Sequence, residues 1–203
     1  LDALTSGDGN VGVGHNALSA NSTGGDNTAI GKQAMLTNTT AADNTAVGSN
    51  AMKLNTTGAS NVAIGTSCME SNTTASSNTA VGQAAMNSNT TGASNVAVGT
   101  SALIANTTGA DNIGVGHRSL YSNVTGNQNI AIGRAALDAN TASNNVAVGY
   151  TAMAANTTGT RNTAIGHNAY TASDTEDDNI AIGYNAMTTN TAGGVKNVMI
   201  GNY

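Results

Sequence analysis

Side chains with acid–base or nucleophilic chemistry are few in this sequence, and their spacing does not form a catalytic set. The chain has three histidines, His15, His117 and His167, and a single cysteine, Cys68. It contains no recognisable Ser/Cys–His–Asp set and no HExxH-like spacing. We therefore predict that the protein is not an enzyme and that it needs no cofactor.

Carboxylates are concentrated in one short segment near the end of the chain. Asp174, Glu176, Asp177 and Asp178 lie within five residues. Such a group could bind Ca²⁺, which takes six to eight oxygen ligands, but the spacing is not that of an EF-hand loop. We interpret the segment as a solvated acidic turn, partly paired with Arg161, and keep a metal site as the weaker alternative.

Aromatic residues with polar groups recur at a fixed interval in the last third of the chain. Tyr150, His167 and Tyr184 are each 17 residues apart. If equivalent residues stack in space, their rings form a row that could contact the sugar rings of a glycan receptor. The alternative, which we favour, is ordinary stacking of equivalent side chains along an edge.

The interval of 17 residues reflects a repeat that runs through the whole chain. The repeat is anchored by an Asn followed by x-Ala-Ile/Val-Gly, and nine of the eleven spacings between anchors are 17, with one of 16 and one of 18. The anchors are Asn10, Asn27, Asn44, Asn61, Asn78, Asn95, Asn112, Asn129, Asn145, Asn162, Asn179 and Asn197. A short fixed period is typical of a solenoid, so we predict one continuous repeat domain over residues 1–203.

Each row of the repeat has a physical interpretation when positions are counted from the anchor Asn as zero. Positions +1 to +3 are β-branched or small and predict a strand, and the Gly at +4 predicts a corner. We predict a second short strand around +7 to +10. A second Asn at +11 begins a turn, usually Asn-Thr-Thr. Eight of these turns match Asn-x-Ser/Thr, which we attribute to turn chemistry rather than to glycan attachment.

Stacked coils would align identical residues into rows that hold the rod together. Twelve parallel strands about 4.8 Å apart would give an all-β rod of roughly 55 Å. Buried methionines and a buried, unreactive Cys68 at +7 are expected to be part of the core. The residues predicted to form structural rows include Asn27, Asn44, Asn61, Asn78 and Asn95 for the amides, Gly31, Gly48 and Gly65 for the corners, and Met35, Met52, Met69 and Met86 for the core.

Both faces of the predicted strand are apolar or small, although a thin roll has only one interior. Side chains at +1 and +3 face one way and +2 faces the other. A strand that is apolar on both faces is usually covered on both. We therefore expect the second face to contact another chain; the sequence does not say which row lies inside.

The composition argues against two classes of partner, nucleic acids and membranes. The formal net charge is −5 with only six Lys and Arg, so a phosphate-binding stripe and a nucleic-acid partner are not expected. No run of about 18 apolar residues occurs, so we expect no membrane insertion. Because the first residue is Leu and no signal-like segment follows, we expect a fragment or processed piece of a longer protein.

The motifs NTAIG, NVAVG and NIAIG, followed by a small residue at +7, resemble the head repeats of trimeric autotransporter adhesins. The longer unit NTAIGxxAMxxNTTG is similar to repeats of bacteriophage tail fibres and bacterial surface fibres. The resemblance implies a left-handed parallel β-roll, three chains packed side by side, and a receptor-binding surface or tip. The 17-residue period is longer than the adhesin repeat, and we expect any neck, stalk, anchor or chaperone tail to lie outside these 203 residues.

These observations predict a structural fibre segment, extracellular, at a cell surface or on a virion, that is a homotrimer and holds or forms a surface for a host receptor or glycan. An ice-binding solenoid is one alternative, but its flat array would need Thr-x-Thr on a strand, whereas the Thr pairs here are adjacent and lie in a turn. A passive filament of end-stacked solenoids is the other.

Overall fold

A computed structural model of the chain describes residues 3, 5–172, 175–188 and 193–202. The described residues form one parallel sheet of twelve three-residue strands that pair in sequence order, and they contain no helix. The strands are β1 Val11–Val13, β2 Thr28–Ile30, β3 Thr45–Val47, β4 Val62–Ile64, β5 Thr79–Val81, β6 Val96–Val98, β7 Ile113–Val115, β8 Ile130–Ile132, β9 Val146–Val148, β10 Thr163–Ile165, β11 Ile180–Ile182 and β12 Val198–Ile200. The predicted all-β parallel solenoid is thereby confirmed, with the strands at +1 to +3.

The strands stay in register even where the repeat changes length. Ala131 pairs with Ala147 across the 16-residue interval, and Ala181 pairs with Met199 across the 18-residue interval. The shorter interval is accommodated in the turn, because Asn140 donates to a carbonyl two residues ahead, whereas its counterparts donate three residues ahead. The sheet therefore tolerates a missing residue in the turn without a shift of the buried rows.

The structure assigns the two faces of each strand. The central residue at +2 is buried in β2–β11, and the residues at +1 and +3 are partly or largely exposed. Ile64 is 40% exposed and Val98 is 37% exposed, so apolar surface remains on the outer side. We call the side chains at +1 and +3 of β2–β11 the outward face.

The second strand predicted at +7 to +10 is wrong. The described residues there form turns, and the backbone at +6 and +8 has positive φ, for example 58° at Gln33 and 50° at Met35. Left-handed residues cannot continue an extended strand. Hydrogen bonds between coils nevertheless continue, since Met35 N donates to Ala51 O at 3.0 Å and Thr37 N donates to Lys53 O at 3.1 Å.

The core is a narrow column inside the coils. Small residues at +2 and +7 leave space for one large side chain per coil at +8, and these large residues are fully buried from Leu18 to Tyr170. Met and Leu rarely adopt positive φ, which costs about 1–2 kcal/mol per residue. Burial of each side chain, at about 1.5–3 kcal/mol, offsets that cost.

Candidate functional site

Two rows of asparagines connect successive coils inside the roll. Asn61 Nδ2 donates to Asn44 Oδ1 at 3.1 Å and to Ala75 O at 2.9 Å, and Asn78 N donates to Asn61 Oδ1 at 3.0 Å. The second-row Asn72 donates to the same Ala75 carbonyl at 3.1 Å. The Ala75 carbonyl thus accepts hydrogen bonds from both asparagine side chains of its coil. These bonds connect the start of the 17-residue coil to its turn. Similar bonds involve Asn27, Asn44, Asn78 and Asn95.

This bonding bears on the Asn-x-Ser/Thr matches in the turns. The eight asparagines concerned are fully buried in the roll; they are Asn21, Asn38, Asn55, Asn72, Asn89, Asn106, Asn123 and Asn156. A buried amide that donates to neighbouring carbonyls cannot carry a bulky surface sugar without unfolding the coil.

The glycines at +4 lie where coils approach most closely. Gly31, Gly48 and Gly65 have φ of 137–139°. A Cβ on any of them would lie 2.4 Å from the carbonyl oxygen of the next glycine in the row. Only glycine therefore allows both this backbone conformation and the stacking distance.

The sulfur-containing residues lie in the core. Met35, Met52, Met69 and Met86 are fully buried. Cys68 occupies the small row at +7, where its Sγ donates to Ala80 O at 3.3 Å. Burial raises the pKa of the Cys68 thiol to about 12, so the nucleophilic thiolate is suppressed.

The aromatic residues at +5 stack on one another at the surface. The ring centroids of Tyr150 and His167 are 4.9 Å apart with planes at 15°, and those of His167 and Tyr184 are 5.4 Å apart at 28°. Arg134 extends the stack, because its Nη1 donates to the Tyr150 hydroxyl at 2.9 Å. Ring faces turned towards each other at this distance leave no space for a sugar between them. Ring edges and polar tips are presented outwards along the stack.

The carboxylates of the acidic segment are held by neighbouring groups, and Arg161 forms ion pairs with both Asp177 and Asp178. Asp177 Oδ1 accepts from Thr160 N at 2.7 Å, and Asp178 accepts two bonds from Arg161 at 2.6 and 3.0 Å. Asp178 therefore pairs with Arg161, which lowers the pKa of Asp178 and raises that of Arg161.

Glu176 is nearly buried, with its carboxylate accepting from Thr175 N at 3.2 Å and from Gly193 N at 3.3 Å. Asp174, the fourth member of the predicted cluster, lies outside the described residues. Within the described part of the chain, no group of three or more His, Cys, Asp or Glu side chains is arranged to hold a metal ion.

The outward face has two exposed borders that the sequence interpretation missed. Position −1, just before each anchor Asn, borders one side of the strands, and position +5 borders the other. Exposed carboxylates on the −1 border include Asp26, Asp43 and Asp111. Exposed cationic residues on the +5 border include Lys32 and Arg134. The difference in charge between these two borders is visible in the sequence when the −1 and +5 positions of all repeats are compared.

Over the described ranges the surface has no pocket, and no helix there is long and apolar enough to cross a membrane. The features available for recognition are thus the outward face, its two borders and the aromatic stack. Comparison with known proteins found no matching family model, no similar curated protein and no similar solved structure.

Proposed function

We propose that this chain is a structural segment of an extracellular or virion fibre, in which three copies lie side by side around a common axis. The coiled backbone would supply length and stiffness, and the fibre would hold or form a receptor-binding surface. The left-handed winding, the trimer and the adhesin or tail-fibre role belong to this proposal. The resemblance of the NTAIG-type repeats to those fibre proteins supports it.

The observation that carries the proposal is the apolar +3 row of the outward face. Every strand from β2 to β11 places Ile or Val there, with Ile30, Ile64, Val98, Ile132 and Ile165 between 37% and 42% exposed. The neighbouring +1 row holds Val, Ile and four threonines. Ten strands at about 4.8 Å spacing make the +3 row about 43 Å long. A continuous exposed apolar row of this length is typical of a surface that contacts another protein.

The contacts inside the roll would make the rod stiff. Each coil is connected to the next by main-chain bonds and by buried asparagine amides, and none of these contacts depends on a distant part of the sequence. Arrays of similar units can change length by whole coils without altering the packing of the others. A rigid spacer of adjustable length follows from that arrangement.

The stack of Tyr150, His167 and Tyr184 is the proposed contact for a glycan or receptor. Tyr150 is 43% exposed and Tyr184 is 52% exposed. The stacked rings present polar tips rather than free faces, so recognition would use hydrogen bonds more than ring stacking. Glycan-array or cell binding that falls on Tyr184→Ala would support this contact, and unchanged binding would remove it.

The first test of the fibre proposal is the solution mass by light scattering after size exclusion. The expected mass is near three times the chain mass of 19.9 kDa. Val98→Lys places a charge on the outward face and should reduce the mass to that of one chain. Val124→Lys is the matched control, because Val124 is similarly exposed at 41% but lies in the turn.

A monomeric wild-type chain would contradict the fibre proposal and direct attention to ice binding. The structure weakens that alternative, since threonine hydroxyls at +12 donate to carbonyls of the next coil, as Thr56 does to Thr73 O at 3.0 Å. Thermal hysteresis in dilute solution would then be the observation to seek.

A further inference from the structure

The two borders of the outward face carry opposite charge over the second to ninth coils, and beyond them the −1 row also holds Arg161, Asp178 and Lys196. We call the −1 row the acidic border and the +5 row the basic border. Across the second to ninth coils, counted from the anchors Asn27 to Asn145, the acidic border has three carboxylates and no cationic residue. These carboxylates are Asp26, Asp43 and Asp111.

Over the same coils the basic border has no carboxylate and includes Lys32, His117 and Arg134. The absence of acids extends to all twelve coils of this row, and all three histidines of the chain lie on it. The named side chains on both borders are exposed. In a protein with net charge −5, a long row with cations and no acid is a local reversal of the overall sign.

We infer that the partner on the outward face is a second copy of this chain, aligned parallel, with the acidic border of one copy against the basic border of the next. This inference rests on the proposed fibre assembly and specifies its orientation. Apolar contact between outward faces would supply the affinity, and the borders would select the orientation.

The symmetry of the two possible alignments supports a parallel arrangement. Rotation about an axis parallel to the rod exchanges left and right without reversing the chain direction, so each acidic border meets a basic border in a dimer or in a closed ring. Rotation about an axis parallel to the strands reverses the rod and places like borders together. At full overlap Asp26 would then meet Asp178 instead of Lys32 and lose its opposite charge.

The positions of the charges along the rod are consistent with copies at equal height. Asp26 and Lys32 both belong to the second coil, and Asp111 and His117 both belong to the seventh. Between them, the fourth to sixth coils carry only uncharged polar residues on both borders. Copies at equal height would thus set Asp26 against Lys32 at one level and Asp111 against the His117 imidazole at another, with neutral residues against each other between those levels.

The test reverses the charge of each border separately and then together. Asp26→Lys with Asp111→Lys changes the acidic border, and Lys32→Glu with Arg134→Glu changes the basic border. Lys is tolerated at −1 in the left-handed conformation, since Lys196 there has φ of 61°. The matched control for the acidic border is Glu70→Lys with Thr74→Lys and Thr91→Lys, which shifts the net charge equally at positions +9 and +13, away from the outward face. Circular dichroism checks that every variant is folded.

At low ionic strength, we expect each border variant to dissociate at about tenfold higher protein concentration than wild type, and the difference to shrink at about 1 M salt. The four-substitution variant, with both borders reversed, should regain wild-type association, while the control should match wild type. A wild-type oligomer unaffected by either border variant, or a combined variant weaker than both, would overturn the inference alone. A wild-type monomer at all salt concentrations would overturn the fibre proposal as well.

Discussion

The middle of the rod and its tenth coil, which begins at the anchor Asn162, share one strand register and one glycine corner but differ in side-chain support. In the middle, every coil has an anchor Asn, a second Asn, and Met or Leu at +8. In the tenth coil the sequence has Ser173 in place of the second Asn, and Tyr170 replaces Met or Leu, with its hydroxyl 2.6 Å from Asn179 Nδ2. Just before it, the buried Asn156 Oδ1 has no hydrogen-bond partner among the described residues.

Comparing the two regions separates the features that define the backbone of a coil from the side-chain contacts that stabilise it. Strand register is kept in both regions, as Ala46 with Ala63 and Ala164 with Ala181 show. The glycine corner is also kept in both, with φ of 139° at Gly65 and 137° at Gly166. We infer that the corner and the strand define the coil, whereas the second asparagine row contributes stability that one coil replaces with a buried tyrosine.

The largest expected effect comes from the corner. Gly82→Ala places a Cβ 2.5 Å from Gly99 O at a φ of 138°, so the backbone must move. We expect a loss of about 3–5 kcal/mol in unfolding free energy, or failure to fold, from strain and steric overlap together. Circular dichroism during chemical denaturation measures the change.

The matched control is Gly201→Ala, where φ is 143° but nothing lies within 4 Å of the added Cβ. Here only backbone strain remains, and we expect about 1–2 kcal/mol. Equal losses in the two variants would show that close stacking does not explain the glycine row.

The second asparagine row gives the next effect. Asn72→Ala removes donors to Asn55 Oδ1 and Ala75 O and the acceptor for Asn89 Nδ2. Buried polar groups left without partners cost about 1–3 kcal/mol each, so we expect a loss of about 3 kcal/mol in unfolding free energy.

Asn156→Ala is the comparison beside the tenth coil, because Asn156 makes the two donor bonds but its Oδ1 accepts none. We expect it to cost about 1 kcal/mol less than Asn72→Ala. A larger loss at Asn156 would contradict the assigned difference between the two regions.

Cys68 provides a pH-dependent probe of the middle coils. The folded pKa of about 12 exceeds that of an unfolded thiol, so folding favours the neutral form. The contribution is complete below pH 8.5 or so and is lost as pH rises towards the folded pKa, at up to about 1.4 kcal/mol per pH unit. Denaturation of wild type and Cys68→Ala at pH 8 to 10.5 should show the steeper decline in wild type. Parallel profiles would mean that the thiol is not buried.

The smallest effect is expected at Tyr170. Tyr170→Phe removes the hydroxyl beside Asn179 Nδ2, which keeps its bonds to Asp177 O and Gly194 O. We expect a loss of about 1 kcal/mol in unfolding free energy. Tyr150→Phe, at an exposed site, should change stability much less. If the two variants lose the same amount, Tyr170 does not replace the missing amide.

The strands and the corners could be predicted from the sequence, because their residue types strongly favour one backbone conformation. The strands at +1 to +3 were predicted from β-branched residues on either side of a small one, and the corner was predicted from the Gly at +4. The failed second strand has a physical cause, since apolar Met35 and its equivalents suggest an extended core strand, whereas their backbone is left-handed. Residue preference does not anticipate that conformation when burial compensates its cost.

Contacts within the roll were less predictable than the roll itself. Asn rows were expected, but the shared carbonyl at Ala75 depends on how far the turn bends back. The aromatic stack of Tyr150, His167 and Tyr184 was expected from spacing, but the orientation of the rings was not. The charge of the two borders is present in the sequence and becomes apparent only when the rows that flank the strand are compared.

The most direct test of the central claim is the distance between identical spin labels on the outward face of assembled chains. A cysteine is introduced at Ile30 or at Ile165, near opposite ends of the face, in a Cys68→Ala background and then labelled. Parallel copies predict the same short label-to-label distance at both positions. No measurable distance at either end, or a short distance only for a label near the middle at Val98, would contradict parallel packing through this face.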